Sequence, residues 1–210
     1  MITAAVMIAG GLLELAAWWA VSWKGVSIWV AMGLALPAIG IAAVAVRAPS
    51  LSPAVSAGLA VAAGVSAGVG LYLATRLFVA AVRPWRTFQR HSVQTYARQA
   101  GLPLAAAIVL AAAVMAPGEE LFWRGLFQAK LSVVLDGRTA GAAVTWLAFA
   151  VANLPSRNLA IVAGAVVGGA VWSALAWWTG GVLASMVCHS VWTALMLGFP
   201  VVRAPVGGRA

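Results

Sequence analysis

The sequence predicts an all-α protein, a polytopic membrane bundle of about seven transmembrane helices. Three observations carry this reading. Of the 210 residues, 64% are hydrophobic and only 8% are charged, whereas a soluble domain carries roughly 25% charged residues to wet its surface. The mean hydropathy is +1.01. The chain also holds 11 Trp and 22 Gly, types favoured in membrane helices and at their ends. A soluble enzyme, a disordered tail, a collagen-like fibre and a disulfide-rich secreted module are all excluded. With Cys188 as the one cysteine, no intrachain disulfide can form.

Apolar runs between polar or Pro/Gly breaks place the spans at 3–22, 26–46, 53–80, 102–133, 138–154, 158–178 and 181–200; a span needs about 20 residues. The first run carries no Lys or Arg before Trp19, so it lacks the basic start of a signal peptide and reads as a retained span. In the third and sixth, Gly64 with Gly68 and Gly164 with Gly168 have the small-xxx-small spacing that lets helices approach closely. The fourth is long for one span. Pro117 within it removes a helix hydrogen bond and predicts a kink or a break. Asp136 falls in a turn-like Asp-Gly-Arg. Trp18, Trp19, Trp23 and Trp29 cluster near the first loop and Trp177 with Trp178 near the sixth, as interfacial belts do.

The organisation expected is one integral membrane domain over 1–210: N-terminal spans at 1–82, a basic interfacial segment at 83–101 and a core at 102–200. The basic segment holds Arg83, Arg86, Arg90 and Arg98 and no acid, while Trp85, Phe88, Val93 and Tyr96 fall near one helical face. Such a helix fits anionic lipid, and an ordinary basic loop fits equally well. His91 in it is expected to face solvent. The net charge of +9 reads as the positive-inside rule at work, not as a nucleic-acid surface. Placing 83–101 inside also puts Lys24, Arg76, Arg157, Arg203 and Arg209 inside, and Arg47, Lys130 and Arg138 outside. With no organelle signal in view, a bacterial cytoplasmic membrane is the default location.

The chain has only four acidic residues, and that scarcity locates the chemistry. Glu119 and Glu120 are adjacent inside the fourth run, where an ionisable group costs several kcal/mol unless paired. Glu120 and Arg124 stand four apart with the acid first, the favoured order for a helical ion pair. Glu119 points about 100° away and has no such partner nearby, which suits a general base. A buried polar network that merely holds helices together is the plainer alternative. Glu14 in the first span pairs with a polar group or faces a lipid headgroup. His189 is the one histidine in a span and shares a helical face with Thr193; Phe149 and Asn153 have the same spacing. A Cys188–His189 nucleophile is disfavoured, because adjacent helical side chains diverge. A zinc site built from Glu119, Glu120 and His189 requires Glu120 to abandon Arg124. Neither a metal nor another cofactor is expected.

Glu119-Glu120-x-x-x-Arg124 with its Pro117 context is similar to the first motif of the CPBP (CAAX protease and bacteriocin-processing) intramembrane endopeptidases. Phe149-x-x-x-Asn153 falls where that family has FxxxH. Thr179-Gly180-Gly181 and His189-x-x-x-Thr193 fall where it has a T-G-S-like turn and HxxxN. Order and spacing agree over about residues 114–195. The resemblance implies a helical membrane fold with a cavity opening within the bilayer, in which water attacks a peptide bond. Carried over, Glu119 is the base, Glu120 and Arg124 support it, and His189 with Thr193 stabilises the oxyanion.

Two positions depart from the pattern. Thr193 replaces an asparagine but keeps a donor. Asn153 replaces the histidine expected to assist Glu119, and losing such a partner typically costs 10²–10⁴-fold in rate. Three readings follow in order. The first is a glutamic-type endopeptidase cutting a membrane-embedded or lipid-anchored protein or peptide. The second is a catalytically impaired relative acting as a membrane binding or bacteriocin-immunity protein. The third is an ion-coupled small-solute transporter, disfavoured by the lack of paired halves.

Overall fold

A computed structural model describes residues 1–98 and 101–202. Its helices are α1 (Ile2–Trp23), α2 (Ile28–Val46), α3 (Ala57–Ala81), α4 (Arg86–Arg98), α5 (Leu104–Val134), α6 (Arg138–Ala152), α7 (Leu159–Thr179) and α8 (Leu183–Gly198). A single 3₁₀ turn, Leu154–Ser156, joins α6 to α7, and there is no strand among the described residues. The protein is an all-α membrane bundle. Every predicted apolar run becomes a helix. By length and composition, however, five of them can cross a membrane: α1, α2, α3, α5 and α7. With 15 and 16 residues, α6 and α8 fall below the roughly 17–25 of a full span.

Pro117 does not break α5. The helix widens into π turns at Ala111–Met115 and Leu121–Gln128, on either side of it. A wider turn tolerates the missing N–H and re-aims the side chains that follow, and such turns are frequent at functional sites. Asp136, in its left-handed turn conformation, closes the α5–α6 connection as expected.

Close crossings through glycine hold the bundle together. Helix α3 packs most extensively on α8, and a Cβ at Gly64 or Gly68 would lie 2.7 Å from the Ala184 carbonyl oxygen or 2.8 Å from that of Cys188. Helix α2 meets α5 in the same way: a Cβ on Gly118 would lie 2.5 Å from the Leu36 carbonyl oxygen. Gly168 serves a different purpose from the close approach its spacing suggests. It makes room for a ring, since its Cβ would lie 2.8 Å from the Trp172 indole.

The two ends of the bundle are distinct. At one, Ser22 Oγ and Arg98 Nη1 both donate to the Ser156 carbonyl (2.8 and 3.3 Å), Arg157 lies 4.4 Å over Trp23, and Lys24 lies 5.2 Å over Trp19. At the other, Arg138 donates to the Trp177 carbonyl, and the 50–54 loop pairs its backbone with Thr179, Val182 and Leu183. Arg203, Arg209 and residues 99–100 of the basic segment lie outside the described residues.

Helix α4 turns its apolar face onto the bundle. Phe88 and Ser92 are buried, and Phe88 sits edge-on to Phe78 of α3 with centroids 5.3 Å apart. His91, expected from the sequence to face solvent, is half-buried and also serves the fold. Its Nδ1 accepts from the Leu159 N–H at 2.9 Å, satisfying a free donor at the start of α7. Asn158 caps the same turn through Oδ1 while its Nδ2 donates to the His91 carbonyl at 2.9 Å. Helix α7 is apolar around most of its circumference, so these polar contacts at its start help to fix its direction.

Because the Gly118 contact is backbone on backbone, Gly118→Ala must push α2 and α5 apart. We expect a loss of about 1–3 kcal/mol and a lower Tm in detergent. Gly58→Ala, where a Cβ meets nothing within 4 Å, should leave Tm unchanged.

Candidate active site

The site grows from the middle of α5. The Gly118 crossing presses this turn against α2, so the next two residues, Glu119 and Glu120, project to other sides of the helix. Glu120 is fully buried and accepts from Arg124 Nη1 at 3.0 Å. Arg124 Nη2 donates to the Gly169 carbonyl at 3.1 Å, and its guanidinium lies 4.5 Å over the Phe149 ring and 5.5 Å over the Trp172 ring. The cation is thus held by a carboxylate, a carbonyl and two aromatic faces.

His189 reaches this group from α8. Its Nδ1 lies 3.1 Å from Glu120 Oε1 and its Nε2 lies 3.8 Å from Glu119 Oε2. The imidazole stacks on Trp172 with centroids 3.7 Å apart and planes 16° apart. An ionised Glu120 can only accept, so Nδ1 carries a proton and Nε2 faces Glu119.

Glu119 lines a cavity of about 410 Å³ enclosed by the helices, within the range of ligand pockets. Asn153, His189 and Thr193 line it too, while Glu120 and Arg124 stand behind it. The rest of its wall is largely apolar, with Met32 and Leu36 from α2, Phe78 from α3 and Trp172 from α7. Helix α4 contributes Phe88, Ser92, Thr95 and Tyr96. All six candidate residues therefore meet through direct polar contacts or a shared wall. Thr193 lies one helical turn beyond His189 on the same cavity wall.

One residue that sequence reasoning left undecided belongs here. Glu14 of α1 is completely buried. Its Oε2 accepts from Trp123 Nε1 at 2.7 Å and its Oε1 from Asn153 Nδ2 at 3.3 Å. Its carboxyl lies against that of Glu119. Asn153 additionally donates to the Phe149 carbonyl at 3.0 Å. The signal for Glu14 was its rarity, one of four acids in the chain; its partners, 109 and 139 residues away, had no signal. Cys188 is buried with the core and does not line the cavity. Among the described residues no set of three His, Cys, Asp or Glu is arranged to hold a metal ion.

A helical membrane bundle that converges glutamates, a histidine and an arginine on an internal, apolar-walled cavity has the layout of an intramembrane hydrolase. Residues 101–195 match the family model described as type II CAAX prenyl endopeptidase Rce1-like. This match assigns that stretch, which holds every candidate residue of the site except Glu14, to the CPBP/CAAX protease family. A CAAX-protease-type intramembrane endopeptidase is the general activity it supports. Neither the curated proteins nor the solved structures contain a significant match to the chain.

Removing one member of a buried ion pair strands the other. Arg124→Leu should cost about 3–5 kcal/mol, and adding Glu120→Gln should restore part of that loss. A double-mutant cycle by denaturant unfolding in detergent measures both.

Proposed function

We propose that this protein hydrolyses a peptide bond in a membrane-anchored substrate, with water activated by Glu119. The observation that carries the reading is that Glu119 and His189 Nε2 face one apolar-walled cavity while Glu120 and Arg124 stand behind them. A lipid-bearing peptide suits such a space: its hydrocarbon fills the apolar part, and its backbone reaches the polar wall. A prenylated C-terminal peptide, the substrate class in the family's description, has this chemistry.

In the mechanism, a water molecule between Glu119 and the scissile carbonyl gives a proton to the cavity-facing oxygen of Glu119 as its own oxygen bonds to the carbonyl carbon. The carbonyl oxygen takes up the negative charge. The Thr193 hydroxyl donates a hydrogen bond to that oxyanion, and the His189 ring, fixed beside Glu119, completes the polar wall that receives it. The carbon–nitrogen bond then breaks, and the proton on Glu119 passes to the leaving amine. Glu120 holds His189 through Nδ1 and is itself held by Arg124. A preorganised site of this kind needs no reorientation of water when charge develops.

The same proposal divides the chain into the N-terminal spans 1–82, an interfacial basic segment at 83–101 and a reactive core at 102–200. It places the protein in a bacterial cytoplasmic membrane with the basic segment inside. The clustering of Lys24, Arg98 and Arg157 at one end of the bundle supports that orientation.

Two measurements test the roles in proteoliposomes with an internally quenched, S-farnesylated CAAX peptide. Glu119→Gln should lower kcat by about 10²–10⁴-fold. Cleavage by Glu119→Gln at the wild-type rate overturns Glu119 as the base, and absence of cleavage by the wild type overturns hydrolysis in favour of a cavity that only binds. Thr193→Val should lower kcat by about 10²-fold with KM unchanged; an equal loss in KM instead would make Thr193 a substrate contact.

A further inference from the structure

We infer that Glu14 and Glu119 form a carboxyl dyad that shares one proton, with Glu14 as the proton-accepting partner that positions and recharges Glu119. The inference rests on the Glu119 reading above and extends it to a residue outside the matched stretch.

Geometry and charge both point to the dyad. The Glu14 and Glu119 carboxyls lie against each other, joined at the cavity wall by Asn153, which lines it beside Glu119 and donates to Glu14. Two carboxylates are acceptors only, so such a pair is accommodated with a proton on one of them. The remaining contacts say which end accepts. Trp123 Nε1 and Asn153 Nδ2 both donate to Glu14, one to each oxygen (2.7 and 3.3 Å), so Glu14 is furnished as the anion and Glu119 as the donor. The charge count agrees. Glu14, Glu119 and Glu120 surround a single guanidinium, Arg124, and Glu120 is already paired with it. Full ionisation would leave two further carboxylates side by side away from water, a state that like-charge repulsion and desolvation both oppose. One shared proton removes that repulsion, as paired carboxyls do in other hydrolases.

The rest of α1 is built to deliver Glu14. One turn earlier, Gly10 leaves the space filled by the Phe122 ring, which brings α1 against the π-widened part of α5. The Trp123 indole that holds Glu14 is itself wedged between the Phe127 and Phe149 rings at 4.9 and 5.6 Å.

The dyad answers the departure at Asn153. An amide cannot take up a proton near neutrality, yet Asn153 lines the cavity and hydrogen-bonds Glu14. The position expected to assist Glu119 therefore orients a carboxylate that can. As water bonds to the scissile carbon, its proton goes to the cavity-facing oxygen of Glu119, and the proton Glu119 already held passes to Glu14. When the carbon–nitrogen bond breaks, Glu119 gives a proton to the amine and recovers one from Glu14. The pair ends as it began.

The test has a spectroscopic arm that needs no substrate. Infrared titration of the carboxyl bands in proteoliposomes should show two steps for the pair in wild type. The one step left in Glu14→Gln, that of Glu119, should lie about a pH unit or more below the upper wild-type step, because the neighbouring anion is gone, while the step left in Glu119→Gln stays near the lower one. A remaining step that keeps its wild-type position in each variant means the two groups titrate independently, and the dyad is overturned. The amide oxygen introduced by Glu14→Gln can still accept a hydrogen bond from Trp123 or Asn153, so the fold is retained. The kinetic arm uses the S-farnesylated peptide. Glu14→Gln should lower kcat about 100-fold with KM unchanged. Wild-type kcat in Glu14→Gln alongside an inactive Glu119→Gln overturns the dyad and leaves Glu119 as the base. Wild-type cleavage by Glu119→Gln overturns Glu119 as the base, and the infrared titration then decides the shared proton alone.

Discussion

The Glu120–Arg124 ion pair, 3.0 Å long and fully removed from solvent, is the interaction on which the centre of this bundle depends. A charge at that depth is tolerable only with a matched partner and further polar contacts around the pair. Each neighbour can be read as a consequence. Gly169 offers its carbonyl to the guanidinium, Phe149 and Trp172 offer ring faces, and His189 meets the Glu120 carboxylate from α8. Since Glu120 accepts from both Arg124 and His189, it ties α5 to α8 and, through Arg124, to α7. The imidazole is then fixed on both sides, by Trp172 against its face and Glu120 at Nδ1, leaving Nε2 to the cavity.

A fixed polar centre also needs helices that approach closely enough to bury it. Glycine supplies that at α2–α5 and α3–α8, where a single Cβ would collide with the opposing backbone. Lipid offers helices no hydrophobic driving force toward one another, so packing and polar bonds must hold the bundle together. The polar bonds here are concentrated on α5 and its partners. Departure from regular helix is concentrated in the same place: the π turns on both sides of Pro117 alter the direction in which Glu119, Glu120 and Arg124 leave α5. A cavity beside that irregular stretch is where a substrate backbone can find groups not already spent on the fold.

Much of this was legible in the chain. Composition alone implied the membrane helices. Spacing alone implied the Glu120–Arg124 pair, because residues four apart on a helix meet whatever surrounds them. The scarcity of acids pointed to Glu119. Other features were not legible, for identifiable reasons. Seven spans were read against the five that length and composition single out, because α6 and α8 stop at 15 and 16 residues, and hydropathy does not report where a helix stops inside a largely apolar run. Pro117 left a kink or a break open, because a missing N–H does not reveal whether neighbouring turns will widen and keep the helix continuous. His91 was read as solvent-facing because its partner, the Leu159 N–H, belongs to a helix 68 residues away.

The sequence by itself determined what each helix is made of and which side chains share its faces, since helical periodicity is local and every contact within four residues follows from it. It also determined that Glu119, Glu120 and His189 need partners, because the bilayer penalises any ionisable group left alone. Only the tertiary structure decided who those partners are. Helices that are apolar around most of their circumference carry little rotational information, so nothing in α1 alone shows that Glu14 turns inward to Trp123, Asn153 and Glu119 instead of toward a headgroup. That choice is made by the close crossing of α1 with α5, where the buried carboxyl finds its donors only in one orientation.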